Sequence, residues 1–236
     1  MKFFLALFSY ISILGATEIK FNSLDSDLPP FIIKNNDISG VIPSILKKLS
    51  PTIKITYISV PRKRVDDSLK FKQIDASLLT PQWTKLNKDL IFIPLGIDYT
   101  NYIFTLKSGN NNPTSMKQVQ GAKVCTRRGY IYPGLRKEGS SLKIKRIDSN
   151  SEKIMLELLS RGRCSYLIGN KHVINYHIKK NKLSQKIKRT NLVTSEVQLQ
   201  IAVRKEKSKF IAKLRSLIQK MIEKNEIESL IQSFMN

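Results

Sequence analysis

Lys107-Ser108-Gly109-Asn110-Asn111-Asn112-Pro113-Thr114 divides this chain of 236 residues into two stretches with the same rhythm. A run of Gly, Asn, Ser and Pro is turn chemistry, and it offers nothing apolar to a core. Before it, β-branched runs alternate with amphipathic runs. Strands are expected at 18–23, 53–60 and 75–79, with helices at 40–49 and 61–71, where Pro61 suits a first turn. The stretch 90–106 reads as extended, interrupted by Pro94 and Gly96. After the break the pattern restarts. A short helix is expected at 116–119, then strands at 122–127, 142–147 and 164–168, helices at 132–138, 150–161 and 173–180, and an extended stretch at 192–204. Two helices close the chain, at 208–225 and 227–234.

The helical spacing places Val41, Ile45, Leu46 and Leu49 on one face of the first helix, and Ile154, Leu158 and Leu159 on one face of 150–161. Phe210, Ile211, Leu214, Leu217, Ile218, Met221 and Ile222 form the strongest stripe. Strand–helix alternation predicts an α/β protein with mainly parallel sheets flanked by helices, and two rounds of it predict two lobes. In open α/β sheets ligands gather beyond the carboxyl ends of the strands, so two facing lobes make a cleft.

Residues 1–16, MKFFLALFSYISILGA, put one lysine before an apolar run that ends in Gly15-Ala16. That is the layout of a secretory signal peptide, with cleavage expected near Ala16. The alternative is an uncleaved anchor, although the run is shorter than the roughly 20 apolar residues a span requires. A soluble protein working in the periplasm or otherwise outside the cytoplasm is expected. Lys and Arg total 41 against 18 Asp and Glu, a formal charge of +23. Nucleic-acid binding is the first class to weigh. The basic residues are spread along the chain, most are lysine, and no zinc-finger spacing or aromatic RNA-binding signature accompanies them, so no nucleic acid is expected. A solvated basic surface remains, one that attracts anions over long range.

Cys125 and Cys164 are the two cysteines, and in an exported chain they read either as a disulfide or as two buried thiols. With only His172 and His177 to add, no metal site is expected. Both histidines fall on one expected helix, five residues apart.

Four segments together resemble the family 3 extracellular solute-binding proteins, the periplasmic components of amino-acid-type ABC importers. They are Leu28-Pro29-Pro30-Phe31 followed by Gly40; Val60-Pro61-Arg62-Lys63-Arg64 followed by Lys72-Gln73-Ile74-Asp75-Ala76; Lys123-Val124-Cys125 to Arg128-Gly129-Tyr130; and Ser160-Arg161-Gly162-Arg163 to Leu167-Ile168-Gly169-Asn170. The resemblance covers 18–235. It implies the two-lobed periplasmic-binding-protein type II fold with a two-strand hinge. Lobe one would be 17–104 plus the returning segment 198–236, and lobe two 105–197, with extended connections near 103–107 and 198–203. It also places the two cysteines on neighbouring strands of lobe two and so implies that they are bonded.

The family clamps an amino-acid carboxylate with an arginine after the "D-A" strand, but here no arginine occurs from 65 to 126, and Asn87 or Lys88 stands at that place. A lysine lacks the bidentate fork. The family's lobe-two aspartate falls at Asn170, and its aromatic before the prolines is Leu28. These departures argue against an ordinary free amino acid. The candidate ligand-binding set is Asp27, Arg64, Trp83, Thr84, Lys88, Tyr99, Arg128, Gly129, Tyr130 and Asn170, with Tyr102 beside Tyr99. Trp83, the only tryptophan, is placed to stack on a ligand or to serve as a packing residue. Backbone N–H groups at Arg128-Gly129-Tyr130 suit an anionic oxygen. Arg64 is read as a cleft-rim or a surface residue, and Asp27 as an acceptor for a cationic group or a turn residue. The implied function is capture of a small polar solute, an amino acid or related compound with anions among the candidates, for a membrane ABC permease, by a monomer without cofactor or catalysis. A freestanding sensor and a dehydratase- or lyase-like enzyme are the alternatives on the same fold.

Overall fold

The computed structural model describes residues 17–109, 111–132, 135 and 144–235. The signal peptide expected at 1–16 lies outside them, as do most of the helix expected at 132–138 and the start of the strand expected at 142–147. The chain opens with β1 (Thr17–Asn22), whose alternate residues Ile19 and Phe21 are fully buried. A hairpin of β2 (Ile33–Lys34) and β3 (Ile38–Ser39) leads into α1 (Val41–Lys47), then β4 (Ile53–Ile58). The segment expected to be one helix at 61–71 is two pieces: a 3-10 turn at Arg62–Arg64, then α2 (Val65–Lys70). Next come β5 (Ala76–Leu78), a 3-10 turn at Pro81–Trp83, and β6 (Leu90–Leu106). The second round is a 3-10 turn at Met116–Val119, β7 (Lys123–Arg127), β8 (Lys145–Ser149), α3 (Glu152–Ser160), β9 (Tyr166–Asn170) and α4 (Lys171–Lys180). β10 (Ile187–Arg204), α5 (Ser208–Glu223) and α6 (Glu226–Met235) complete it.

One sheet threads both lobes in the order β4-β1-β5-β10-β6-β9-β7-β8. β1 is parallel to β4 and β5, and β7 is parallel to β8 and β9. β6 and β10 are long and antiparallel to each other. β10 meets β5 through Ile201, Ala202 and Val203, while β6 meets β9 through Asn101, Tyr102, Ile103 and Phe104. Between those zones, residues 97–100 and 196–199 pair only with one another. The connections implied near 103–107 and 198–203 are parts of these two strands and the turn after β6. Pro94 and Gly96 do not end β6. The ladder slips between Leu199 and Gln200, and Gly96 takes φ +69 there, the positive-φ bulge that glycine permits.

Each lobe has its own core. In lobe one, Phe21, Ile42, Ile45, Phe210, Leu214 and Ile218 pack together, so α5 returns to the first lobe and buries most of its expected stripe. Ile222 is partly exposed, its side chain lying over Gly96. In lobe two, Phe104, Met155, Leu156, Leu159 and Ile174 surround Cys125 and Cys164. The cysteines are bonded, with Cα atoms 5.7 Å apart. The stripe expected on α3 is rotated: Glu152, Met155, Leu156 and Leu159 are buried, while Ile154 is exposed. The reason is Glu152, which faces inward toward a buried arginine. No helix among the described residues is long and apolar enough to cross a membrane.

Candidate functional site

The loop after β1 is held from beneath by a buried asparagine. Asn22 Oδ1 accepts N–H groups from Leu24 at 2.9 Å and Val60 at 3.1 Å, and its amide donates to Ser77 Oγ. Lys34 Nζ and Ser59 Oγ both donate to the Leu24 carbonyl, and Asp27 Oδ1 accepts from the Lys34 N–H at 2.7 Å. This loop and the turns at Arg62–Arg64 and Pro81–Trp83 form the lobe-one wall. Asp66 ties the two turns together, accepting from Arg62 at 3.3 Å, Thr84 Oγ1 at 3.0 Å and the Lys85 N–H at 3.1 Å. The Arg62 guanidinium also donates to the Trp83 carbonyl. Trp83 stands edge-on to Tyr99, with ring centroids 5.2 Å apart, and Tyr99 packs in turn on Phe31.

The lobe-two wall follows β7. The Arg127 N–H donates to Tyr132 Oη at 2.9 Å, which draws the tyrosine in beneath the turn at Gly129, where φ is +79. The two walls enclose a cavity of about 30 Å³. Leu24, Leu28, Arg62, Leu78 and Trp83 line it from lobe one; Tyr130, Ile131 and Tyr132 from lobe two; Tyr99 and Asn101 from β6. An outer groove of about 540 Å³ lies beyond it and shares Arg62, Trp83 and Ile131 with it.

The lobes touch around this cavity. Arg127 in lobe two donates to Ser26 Oγ and, at 3.3 Å, to Asp25 in lobe one. Gly129 packs on Lys63, and His172 stands edge-on to Phe31. Arg127 is buried, as is Glu152 at 3.8 Å from its Nε. Arg127 Nε and Nη1 and Glu152 Oε2 have no hydrogen-bond partner among the described residues. Burial raises the Glu152 pKa despite the Arg127 charge. Burial works against the guanidinium too, but Glu152, Tyr130 and Asp25 outweigh it and the Arg127 pKa is raised. Burial also pushes Tyr99, Tyr130 and Tyr132 upward, so all three are neutral phenols at ordinary pH.

Of the sequence-derived set, Trp83, Tyr99 and Tyr130 line the cavity, and Thr84 and Gly129 line the outer groove. Asp27 fastens its own loop. Asn170 caps α4, accepting from the His172 and Val173 N–H groups, and donates to the Thr100 carbonyl. Arg64 and Arg128 are exposed. Lys88 lies elsewhere, in a hollow on the outside of lobe one that Lys70 and Arg204 also line. Tyr102 faces away from Tyr99 and carries Arg189 over its ring at 4.5 Å. Arg62, Asn101, Tyr132 and Arg127 were not in that set. A 3-10 turn has three residues per circuit, so Arg62 and Arg64 point in different directions. At the end of a strand, Arg127 and Arg128 alternate in the same way.

No protein-family model matches the chain, and no curated protein matches it. Solved structures do. A mutant of the arginine-binding protein ArgBP from T. maritima is 20% identical, over 92% of this chain and 94% of that one, with a TM-score of 0.76. The amino acid ABC transporter substrate-binding protein AbpA from Streptococcus pneumoniae, bound to L-arginine, is 17% identical over 92% and 94%, with a TM-score of 0.77. An ancestral amino acid-binding protein, described as a precursor of cyclohexadienyl dehydratase, is 17% identical over 93% and 95%, with a TM-score of 0.74. The fold is therefore the two-lobed one of periplasmic binding proteins.

Proposed function

We propose that the protein is an extracytoplasmic solute-binding protein that captures a small polar ligand between its lobes and delivers it to a membrane ABC permease. The observation that carries this reading is the cavity itself, walled by both lobes and floored by a strand that runs through both. Lobe one takes the first part of the chain plus the returning helices, and the hinge is 97–100 with 196–199, where two strands pair only with each other. Two antiparallel strands bend together without breaking the sheet, and ligand drives closure by binding the closed form more tightly. The structural neighbours support it, since they include arginine- and amino-acid-binding proteins of ABC transporters. Among the described residues that line the cavity there is no carboxylate or imidazole to move a proton, which favours capture over turnover. The protein is expected to work as a monomer after export.

Trp83, the only tryptophan, sits in the cavity and makes its own reporter. A thermal-shift screen over amino acids, organic acids and oligoamines, with hits checked by tryptophan emission and small-angle scattering, tests the reading. A hit that raises the melting temperature, shifts the emission and keeps the particle compact supports it. A broad screen in which nothing moves either signal refutes it.

A further inference from the structure

We propose that the cleft takes a small organic anion with a flat apolar body and no ammonium group, its carboxylate drawn to Arg62. This rests on the solute-binding reading and narrows it. Most of the cavity wall is aliphatic or aromatic, with rings from both lobes, Trp83 on one side and Tyr130 on the other. Among the described residues its polar side chains include Arg62, Asn101 and the phenols, and none of those lining it is anionic. Burial keeps those phenols protonated, so they are O–H donors that suit a carboxylate.

Among the described residues that line the cavity, none offers an ammonium group a counter-charge. Asp66 has both oxygens engaged, by Arg62, Thr84 and Lys85. In the outer groove Asp66 and Asp67 face three cations, Arg62, Lys63 and Lys85. Glu152 is committed to Arg127, behind the Tyr130 ring. Stripping water from an unpaired cation is costly, so the field of the site selects for negative charge. Arg62 uses two of its nitrogens on Asp66 and Trp83, and its guanidinium has further N–H groups to offer.

The geometry also sets where such a ligand lies. A benzene-sized body needs a cavity on the order of 150 Å³, far more than the roughly 30 Å³ enclosed between the closed lobes. The partition between this cavity and the outer groove is Arg62, Trp83 and Ile131. Parting the lobes merges the two spaces, leaving the ring beside Trp83 and the carboxylate at Arg62.

Calorimetric titration of the purified protein with 3-phenylpropionate, L-phenylalanine, phenethylamine and L-arginine tests this. 3-Phenylpropionate differs from L-phenylalanine by the ammonium alone, and it is expected to bind at least about a hundredfold more tightly. Arg62→Gln should lower that affinity tenfold or more and Arg62→Lys less, with Trp83→Ala as a second variant that leaves the Asp66 network in place. L-Phenylalanine or L-arginine binding as tightly as 3-phenylpropionate overturns the inference and leaves the solute-binding reading standing, as does any cationic or uncharged ligand found in the wider screen. Binding of 3-phenylpropionate unchanged in both Arg62→Gln and Trp83→Ala overturns the assignment of the site. No binding by any compound sinks both readings.

Discussion

Replacing Arg127 with leucine removes the positive half of a buried pair and strands Glu152. For unit charges 3.8 Å apart, the attraction lost is about 4 kcal/mol at an effective dielectric constant of about 20. Glu152 has an escape, which is to bind a proton. From the ordinary carboxyl value of 4.5, protonation at pH 7 costs about 3.4 kcal/mol, and at pH 5 about 0.7 kcal/mol. The escape route therefore caps the loss near ~3 kcal/mol at neutral pH and below ~1 kcal/mol at pH 5. The sign follows from linkage. A carboxyl whose folded pKa is raised binds protons more readily folded than unfolded, so the folded state gains as pH falls. The lost contact with the partly exposed Asp25 adds less than about 1 kcal/mol at either pH. Urea unfolding of the native protein, Arg127→Leu and Arg127→Leu/Glu152→Gln at both pH values is the assay. The double variant should recover most of the loss at pH 7. A loss of equal size at both pH values, or a double variant no more stable than the single one, would show that the two groups are not coupled. Arg127 also bridges to Asp25 and Ser26 across the cleft, so the single variant should scatter as a more open particle.

Other outcomes follow from the same geometry. The Cys125–Cys164 bond closes a loop with a sequence separation of 39, so its removal in Cys125→Ala/Cys164→Ala should lower stability by about 4 kcal/mol in the chain-entropy account; a loss under about 1 kcal/mol in denaturant titration would contradict that account. Gly129→Ala forces a positive φ on alanine and sets its Cβ 2.8 Å from Lys63 Cγ; it should cost about 1–2 kcal/mol and weaken any ligand, and unchanged affinity would show that the turn does not close on lobe one. His177 is buried and its pKa falls to about 4, through burial above all. A depressed histidine favours the folded state fully above its unfolded value near 6.5, and the benefit is lost as pH falls toward 4. His177→Leu should flatten the stability profile between those values, and an unchanged slope would assign the acid sensitivity to other groups.

How much was readable depends on what each residue type signals. Strand and helix order was readable because apolar spacing reports which face is buried, and α5 shows it in five buried stripe residues. The same logic misplaced the stripe on α3, since no hydrophobic pattern places a glutamate inward; only the approach of Arg127 from β7 makes Glu152 a core residue. Trp83, Tyr99 and Tyr130 were legible as large amphipathic side chains. Arg62 and Arg64 were indistinguishable by type, and the 3-10 turn that separates their directions is a local geometry no composition announces. Asn170 stood where a ligand-binding aspartate would be, yet its amide is spent on the α4 cap and the Thr100 carbonyl.

The sequence by itself determined the alternation of elements, the restart after the polar break and the identity of the residues able to bury or ionise. These are properties of short windows, where the period of apolar side chains and the chemistry of Gly and Pro act without reference to distant parts. Only the tertiary structure decided which of them share a cavity. Trp83, Tyr99 and Tyr130 come from separate segments and meet because β6 and β10 hold the two lobes side by side. Arg127 became the residue that joins the lobes, and Lys88 one that faces elsewhere, for the same physical reason. A side chain's charge is local, but its burial and its partners depend on what the rest of the chain brings against it.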